Sequence, residues 1–495
     1  MQLIIDGHSF HYECENVCRI FYPNEKINVT DNLSYDKSDE LKVFTVVTDT
    51  GSAYNALVKV YSHEGVMTAN EEVEKTGEST GKALELHIAR MIYHLLSSLT
   101  GYRPPWGVLT GVRPTKLCRT LEKEGGREYA EKYFTQELEV SSEKALLAFD
   151  VAHNEQRVIS SVPEGSFSLY IAIPFCPSRC SYCSFVSHSI DNANARKIVP
   201  DYVKALGEEI KYTAKKLQGL PLTLSSVYFG GGTPGILSSE QFEFLLGAIE
   251  NNFDLSGVKE YTVEIGRPDT VTAEKLGVLK NHGVDRVSIN PQTFNGETLD
   301  LIGRRHSVEE IYSSYELAKK SGIKNINMDL IAGLPSENFE DFKRSLDCAI
   351  ALDPQNITVH SLALKRSSKL NYNGAGVEDG KAAVEMLAYA SSALPKGGYI
   401  PYYMYRQSKC VGNLENVGWC KRGSESFYNV IMMEECQSVI GCGAGAVTKL
   451  YTPESEKIDR VFNYKYPFEY ISGFEEMKKR KDEAVRLLKE ANSLG

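Results

Sequence analysis

The sequence lacks the features that mark membrane-spanning, secreted and low-complexity proteins. No stretch of its 495 residues approaches the ~18 consecutive apolar residues that a membrane helix needs. Residues 1–6 have neither the basic start nor the long apolar run of a signal peptide. No low-complexity tract or internal repeat stands out. We therefore expect a cytoplasmic protein without a membrane span.

Positive charge is scarce relative to negative charge. Lys and Arg total 55 against 65 Asp and Glu, which gives a formal net charge of −10. This balance argues against non-specific nucleic-acid binding, and no nucleic-acid partner is expected. A hydrophobic fraction of 42% and a charged fraction of 24% are typical of a globular protein and exclude a disordered chain. The length predicts about three domains.

Cysteine is the residue type that stands out. The chain has 11 cysteines, and an odd number in a chain of this length does not indicate a disulfide framework. In a reducing compartment, clustered cysteines indicate metal or redox chemistry more often than disulfides. The spacing of the cysteines is therefore the first place to look for function.

Residues 1–160 are predicted to form an accessory α+β domain. Segments 42–48 and 53–61 alternate apolar and polar residues around Asp49, Thr50 and Gly51, which predicts a hairpin. Apolar residues then recur at helical spacing over 83–99. Further helical pattern continues to about residue 156.

Residues 161–375 alternate strands with helices. Strands are predicted at 169–173, 226–229, 261–265, 286–289, 326–331 and 357–362. Amphipathic helices are predicted between them, including 239–252, 273–282 and 308–321. Strands joined by crossover helices form a parallel sheet with right-handed connections. Six units are fewer than the eight of a closed barrel, so the predicted fold class is α/β, a partial (β/α)6 TIM-like barrel.

Residues 376–495 are predicted to form a C-terminal α+β extension that covers the substrate. A helix is expected over 384–393 and a strand over 399–405. Short hairpin pieces are expected over 432–447, and a charged helix over 475–491.

The first predicted barrel strand leads into Cys176, Cys180 and Cys183, spaced C-x3-C-x2-C. Three thiolates this close can bind three irons of a [4Fe–4S] cluster and leave the fourth iron open. A structural zinc site is the alternative, with His188 as a possible fourth ligand. A chance grouping in a cysteine-rich chain is the other alternative.

Glycines and polar residues follow the other predicted strands. The second strand runs into a glycine turn at 230–234, which lets a ligand approach the backbone closely or serves only as a tight turn. Residues at later strand ends are Glu264, Gln292, Asp329, Ser361 and Ala363. Because parallel strands of a barrel end on one face, these residues and the cysteines are expected to share a site.

These motifs resemble the radical S-adenosylmethionine (SAM) superfamily. The segments that carry the resemblance are 170–176 (YIAIPFC), 230–234 (GGGTP), 302–306 (IGRRH), 328–335 (MDLIAGLP) and 359–364 (VHSLAL). Within the superfamily they look like the oxygen-independent coproporphyrinogen III oxidase family. Segments 109–115 (LTGVRPT) and 403–407 (YMYRQ) resemble its HemZ branch, the coproporphyrinogen dehydrogenases.

The resemblance implies two cofactors and a set of residues for each. Cys176, Cys180 and Cys183 would bind a [4Fe–4S] cluster whose open iron takes SAM, with Arg304 in the catalytic set. The residues implied for SAM are Tyr170, Tyr182, Gly231, Gly232, Thr233, Glu264, Gln292, Arg304, Asp329 and Ala363. A low-potential donor such as flavodoxin or ferredoxin would reduce the cluster.

The reaction implied by the resemblance is oxidative decarboxylation in haem biosynthesis. A 5′-deoxyadenosyl radical would abstract hydrogen from propionates of coproporphyrinogen III, and two such events would give the vinyl groups of protoporphyrinogen IX. A substrate with four carboxylates needs Arg or Lys partners. The candidates are Arg267, Arg305, Lys365, Arg366 and Arg406, for each of which a solvated surface charge is the alternative.

Two departures from the family pattern keep other functions open. Decarboxylases of the family carry a further cysteine two positions after the third, where this chain has Phe185. The haem-chaperone branch shares that departure, but its His-Asn-x-x-Tyr-Trp motif is not found here. The alternatives are therefore a haem-binding chaperone and a radical SAM methyltransferase that modifies tetrapyrroles.

Overall fold

The computed structural model describes residues 1–23, 25–30, 41–77, 79–185, 187–363, 377–407 and 410–492. The chain divides into two compact units. The first contains Met1–Asp150, Asn371–Glu385 and Tyr405–Glu415, and the second contains Val151–Leu370, Met386–Met404 and Asn416–Gly495. The division at residues 160 and 375 stays a prediction. No helix within the described ranges is long and apolar enough to cross a membrane.

The first unit is built on a five-stranded sheet in the order β2-β1-β3-β4-β5. The elements up to residue 159 are β1 (Gln2–Asp6), α1 (His11–Phe21), β2 (Asn28–Thr30), β3 (Lys42–Asp49), β4 (Ala53–Ser62), β5 (Gly65–Glu74), α2 (Thr80–Thr100), α3 (Pro114–Lys132), a π-helical turn (Tyr133–Glu137) and α4 (Ser142–Ile159). The predicted hairpin is observed as β3 and β4. Its turn closes where the Thr50 amide donates to the Ala53 carbonyl at 3.0 Å.

The second unit is built on a long sheet with helices between its strands. Its strands are β6 (Ser166–Ile173), β7 (Phe175–Cys176), β8 (His188–Ser189), β9 (Thr223–Gly231), β10 (Glu260–Gly266), β11 (Arg286–Ile289), β12 (Asn325–Ala332), β13 (Asn356–Ser361), β14 (Ile400–Arg406), β15 (Glu415–Cys420), β16 (Ser438–Cys442), β17 (Val447–Thr452) and β18 (Lys457–Phe462). Its helices are α5 (Ala193–Leu217), α6 (Ser239–Glu250), α7 (Ala273–Asn281), α8 (Gly296–Leu301), α9 (Val308–Ser321), α10 (Phe339–Leu352), α12 (Phe427–Glu434), α13 (Pro467–Ser472) and α14 (Phe474–Ala491). The helix α11 (Val377–Lys396) belongs to the first unit up to Glu385 and to the second from Met386.

The six predicted strands are neighbours in this sheet, in the order β13-β12-β11-β10-β9-β6. All five pairings between them are parallel, which confirms the predicted α/β fold class. Capping boxes begin several of the crossover helices, and the box formed by Ser238 and Gln241 begins α6. The carboxyl ends of the six strands therefore lie along one edge of the sheet.

The prediction of hairpin pieces over 432–447 is wrong in part. β16 does pair antiparallel with β17, but it also pairs parallel with β6, in a register that places Val439 opposite Ser168. The parallel part of the sheet therefore extends beyond the six predicted strands. Gln437 supports the join because its side-chain oxygen accepts from Ser168 Oγ at 2.7 Å and from Ser225 Oγ at 3.1 Å.

Candidate active site

The cysteine loop leaves the carboxyl end of β6 and returns through β8. Cys176 and Cys180 are buried, Cys183 is half-buried, and all three are free thiols. β7 and β8 pair in parallel and close the base of the loop. The His188 amide donates to the Pro174 carbonyl and the Ile190 amide to the Cys176 carbonyl, both at 2.9 Å. The three thiols thus lie on one closed loop at the strand ends.

The glycine turn after β9 holds the start of this loop. The Gly232 amide donates to the Ile173 carbonyl at 2.8 Å, and the Thr233 amide donates to the Phe175 carbonyl at 2.7 Å. A Cβ atom on Gly232 would lie 2.5 Å from the Phe175 carbonyl oxygen. These amides therefore bind the chain itself, and the glycine allows the two segments to approach closely.

Replacing Gly232 by alanine is expected to displace the cysteine loop. The added methyl would force backbone atoms apart, and overpacking of this kind costs about 1–3 kcal/mol. We expect Gly232→Ala to lower the free energy of unfolding by that amount and to bind less iron on reconstitution. Gly277→Ala is the matched control, because Gly277 lies within α7 and a Cβ there would meet nothing within 4 Å. The control should keep its iron and be more stable by about 0.5–1 kcal/mol.

Two buried arginines surround Cys180. Arg267 Nη1 donates to Ser178 Oγ at 2.7 Å, and Arg267 Nη2 donates to Cys180 Sγ at 3.1 Å. Burial raises the pKa of the Cys180 thiol, but the positive charges of Arg304 and Arg267 outweigh it, so its pKa lies below the ordinary value. The thiolate is the form that ligates metals, so this charge environment suits a ligand.

Arg304 connects the segment after α8 to the same loop. The Ser181 amide donates to the Ile302 carbonyl and Ser178 Oγ donates to the Gly303 carbonyl, both at 2.9 Å. Arg304 is buried, and its Nη1 donates to the Asn290 carbonyl. Its buried Nε has no hydrogen-bond partner among the described residues. Arg304 thus lies beside the cysteine loop, and its Nε donor is not used by the described residues.

Glu264 and Asp329 form an acidic pair near the carboxyl ends of β10 and β12. Burial raises the pKa of Glu264 to about 7, and the nearby Asp329 adds to the rise. The Tyr228 hydroxyl donates to Glu264 Oε1. Burial also raises the pKa of Asp329, but hydrogen bonds and the charge of His360 outweigh it, so its pKa lies below the ordinary value. At neutral pH, Asp329 is therefore ionised, whereas Glu264 is partly protonated.

The raised pKa of Glu264 predicts a pH-dependent stability contribution. The folded protein keeps the Glu264 proton that the unfolded chain loses near pH 4.5, so the contribution of this group falls as pH rises toward about 7. Glu264→Gln removes that loss. We expect the free energy of unfolding of the variant, relative to that of the wild type, to rise by about 3 kcal/mol from acidic to mildly alkaline pH. Urea denaturation of both proteins at each pH measures the difference, and a constant difference would contradict the expectation.

Gln292 is held in a strained backbone conformation beside Asp329. Its φ is 70°, in the left-handed region. Its amide donates to the Asp329 carbonyl at 2.8 Å, and its carbonyl accepts from the Ile331 amide at 3.0 Å. Its side-chain oxygen is buried without a hydrogen-bond partner in the described parts of the chain. Strain together with an unsatisfied polar atom is typical of a ligand site.

A tyrosine stack that the sequence did not suggest lies next to Glu264. The rings of Tyr228 and Tyr428 stack at 4.2 Å, and the Tyr170 ring lies 6.2 Å from each. Tyr170 and Tyr228 are register partners on β6 and β9. The register of the two strands could have indicated that Tyr170 and Tyr228 are neighbours, whereas the position of Tyr428 depends on how α12 packs.

Three further residues predicted to bind SAM are Tyr182, Gly231 and Ala363. Tyr182 lies on the cysteine loop, and burial raises its pKa, so its hydroxyl is neutral. Gly231 has a φ of +107°, which explains why a glycine is present there. Ala363 lies two residues beyond the end of β13.

The predicted substrate cations fall into three groups. Arg267 and Arg406 are buried and already donate to the chain, Arg267 to the cysteine loop and Arg406 to the carbonyls of Leu109 and Asn413. Arg305 is exposed and pairs with Asp191 at 2.8 Å. Lys365 and Arg366 lie outside the described residues. Of the described candidates, Arg305 therefore has the most accessible guanidinium.

A cleft of about 380 Å³ opens beside the cysteine loop. The residues that line it are Ser178, Arg179, Ser189, Asp191, Asp300, Gly303, Arg304 and Arg305. Arg179, which the sequence did not single out, adds an exposed guanidinium to that of Arg305. The cleft therefore combines cationic groups with direct access to the loop that carries the cysteines.

Comparison with known proteins decides the family. Residues 170–349 match the Radical SAM superfamily. Over 513 aligned residues, the chain is 34% identical to the oxygen-independent coproporphyrinogen-III oxidase-like protein HemZ of Bacillus subtilis (strain 168), covering 99% of this chain and 98% of that protein. The chain belongs to this radical SAM family. The family uses a [4Fe–4S] cluster and SAM, which confirms the two cofactors that the resemblance implied.

One further relative and one solved structure are also similar to this chain. The heme chaperone HemW of Haemophilus influenzae (strain ATCC 51907) is 31% identical, over 62% of this chain and 76% of its own. The solved structure of the radical SAM enzyme coproporphyrinogen III oxidase (HemN) of Escherichia coli is 22% identical, covers 66% of this chain and 73% of its own, and has a TM-score of 0.49.

The residues at the strand ends fit the family's cofactors. Three free thiols lie on one loop, with Arg267 and Arg304 stabilising the thiolate form of Cys180. Gln292 offers a buried acceptor and Arg304 a buried donor, neither of them used by the described residues. In the described ranges, no three His, Cys, Asp or Glu side chains converge on a position for one metal ion. A [4Fe–4S] cluster takes each thiolate on a different iron, so it does not need three ligands at one position. Because the chain belongs to the radical SAM family, we favour this cluster over the zinc site that the cysteine spacing left open.

Proposed function

We propose that the protein is an oxygen-independent coproporphyrinogen III dehydrogenase. It would convert propionate side chains of coproporphyrinogen III to the vinyl groups of protoporphyrinogen IX. The observation that carries this proposal is the similarity to the oxidase-like relative over 98% of that protein's length. The similarity extends across both compact units and is not confined to the radical SAM segment at 170–349.

When bound, the cluster and SAM supply one-electron chemistry that removes a hydrogen atom from a saturated carbon. Each propionate would lose one hydrogen atom and CO2, and one further electron would pass to an acceptor. Cys176, Cys180 and Cys183 would hold the cluster. The buried Gln292 and the half-buried Glu264 and Asp329 would receive the polar groups of SAM.

The substrate's carboxylates need cationic partners near the cysteine loop. Arg179 and Arg305 line the cleft beside that loop and are exposed. Guanidinium groups bind carboxylates bidentately, so these two are the candidates that the described structure favours. The pairing of Arg305 with Asp191 would be exchanged for a pairing with the substrate.

Haem binding without turnover is the second candidate function. Phe185 is 67% exposed, and it occupies the position at which the family's decarboxylases carry a further cysteine. The relative named as a heme chaperone matches 62% of this chain. A chaperone would bind haem stoichiometrically and leave coproporphyrinogen unchanged.

Product analysis separates the candidates. The protein is reconstituted anaerobically with iron and sulfide, then incubated with SAM, a strong reductant and coproporphyrinogen III. Two successive losses of CO2 with equivalent 5′-deoxyadenosine support the dehydrogenase. In a parallel incubation with haem, tight stoichiometric binding without conversion of coproporphyrinogen III supports the chaperone. A mass gain by methyl groups supports a methyltransferase. Cys180→Ala is the negative control for each activity that depends on the cluster.

A further inference from the structure

His360 lies in the cofactor site, although no motif assigns it a role. It is on β13, next to β12, and its Nε2 lies 3.7 Å from Asp329 Oδ2. The His360 side chain is 25% exposed and that of Asp329 is 19% exposed. The two groups thus form a partly buried ion pair at the carboxyl ends of neighbouring strands.

The groups that face His360 are mainly acidic or neutral. Asp329 faces it from β12, Glu264 from β10 and Asn416 from β15. Burial lowers the pKa of His360, but the hydrogen bonds and charges of these partners outweigh it, so its pKa lies above the ordinary value. Tyr403 of β14 lies near both carboxyls and stays neutral, because burial raises its pKa. A protonated His360 therefore supplies positive charge to two carboxyl groups.

Asp329 is held from its other side by neutral groups. Asn327 Nδ2 donates to Asp329 Oδ1 at 2.8 Å and to Ser288 Oγ at 3.0 Å. Thr358 Oγ1 donates to Asn327 Oδ1 at 3.0 Å. One carboxylate oxygen is thus fixed by an amide that is itself anchored to β11 and β13. His360 lies beside the other oxygen and supplies positive charge to it.

We propose that His360 is a positioning residue of the SAM site. Its imidazolium would hold Asp329 in the orientation that binds SAM and would offset the negative charge that Asp329 shares with Glu264. This inference rests on the proposed assignment of those two carboxyl groups to SAM. It predicts that SAM binding weakens at low pH, where Glu264 is protonated, and again at high pH, where His360 loses its charge.

The test is SAM binding by equilibrium dialysis to the anaerobically reconstituted protein, from about pH 5 to pH 9. His360→Gln keeps a donor for Asp329 but removes the charge. We expect it to bind SAM about tenfold more weakly at neutral pH, since this corresponds to about one pKa unit of interaction. Its binding should no longer fall at high pH, while the fall at low pH remains. Glu264→Gln should show the reverse pattern.

His282→Gln is the matched control. His282 also pairs with carboxylates, Glu243 and Glu250, but it lies at the end of α7 outside the site. This variant should bind SAM as the wild type does at every pH. If the wild type binds SAM and His360→Gln has the same affinity and pH profile, the role proposed for His360 is wrong, whereas the assignment of the site is not affected. A wild type that binds no SAM at any pH would instead overturn the assignment of the site.

A second measurement does not depend on the fold of the His360 variant or on bound cofactor. In NMR of the carbon-13 histidine-labelled protein, the rings of His282 and His360 should both titrate above the ordinary histidine value, and the pKa of the His360 ring is the one expected to depend on Asp329. In Asp329→Asn that pKa should fall by about one unit or more, because the partner charge is lost. A His360 signal that titrates at the ordinary value in both proteins would overturn the proposal.

Discussion

Cys180→Ala is expected to leave the reconstituted protein with less than about a tenth of the wild-type [4Fe–4S] cluster and without measurable SAM cleavage. With one of three thiolates removed, a second iron lacks a protein ligand in addition to the open iron, and the cluster is held at only two corners. Arg267 and Arg304 would then face a cavity without the thiolate that balances their charge. Iron and sulfide analysis, together with the yield of 5′-deoxyadenosine, measures the effect.

Cys348→Ala is the control for this experiment. Cys348 is a half-buried free thiol on α10, outside the cysteine loop. Its loss should leave iron content and SAM cleavage at the wild-type level. If Cys180→Ala kept the full cluster while Cys348→Ala lost it, the placement of the cluster on the loop at 176–183 would be wrong.

Lys481→Met is expected to lower the free energy of unfolding by about 3–5 kcal/mol. Lys481 Nζ lies 3.1 Å from Glu209 Oε1, and both side chains are 2% exposed. Glu209 also accepts from the Gly443 amide at 2.7 Å and from Asn463 Nδ2 at 2.8 Å. Methionine fills the space of the lysine stem but leaves the Glu209 carboxylate buried without an opposite charge. Urea denaturation of the variant and the wild type measures the loss.

The double variant Glu209→Gln, Lys481→Met tests the reason for that loss. Because it removes both charges, it should be more stable than Lys481→Met alone. Arg486→Ala is the surface control, since Arg486 and its partner Glu490 are 59% and 58% exposed. That variant should change stability by less than about 1 kcal/mol. If the double variant lost as much as the sum of its two single variants, an unpaired charge would not explain the effect.

The predictable part of the fold was the part set by local pattern. The strand Arg286–Ile289 and the helix Val308–Ser321 have the bounds that the sequence indicates, because apolar runs and capping residues define their ends. The position of β16 was not predictable in this way. Its parallel pairing joins Val439 to Ser168, which is far away in sequence, and no local pattern records such a partner.

The candidate site shows the same division between local and long-range information. Cys176, Cys180 and Cys183 were visible because their spacing itself indicates a ligand set. The glycine turn was visible too, but its amides bind the carbonyls of Ile173 and Phe175, and the sequence alone left a ligand role open. His360 and Tyr428 were missed because their positions beside Asp329 and Tyr228 depend on how different strands and helices pack.

The charged candidates illustrate why residue type alone is a weak guide. Arg267 and Arg305 both lie in segments that follow predicted strands. Arg267 is buried against Cys180, whereas Arg305 is exposed beside Asp191. Arg406 is buried, and burial lowers its pKa to about 10, while backbone carbonyls accept its hydrogen bonds. The sequence specifies the charge of each arginine, but tertiary packing determines which guanidinium a substrate carboxylate can reach.

Deuterium transfer from substrate to cofactor tests the proposed function most directly. The reconstituted protein is given SAM, reductant and coproporphyrinogen III deuterated at the propionate carbon next to each ring. We expect 5′-deoxyadenosine that carries deuterium, formed in step with vinyl-containing product, and none of either from Cys180→Ala. Unlabelled 5′-deoxyadenosine together with unchanged coproporphyrinogen III would contradict the proposed function.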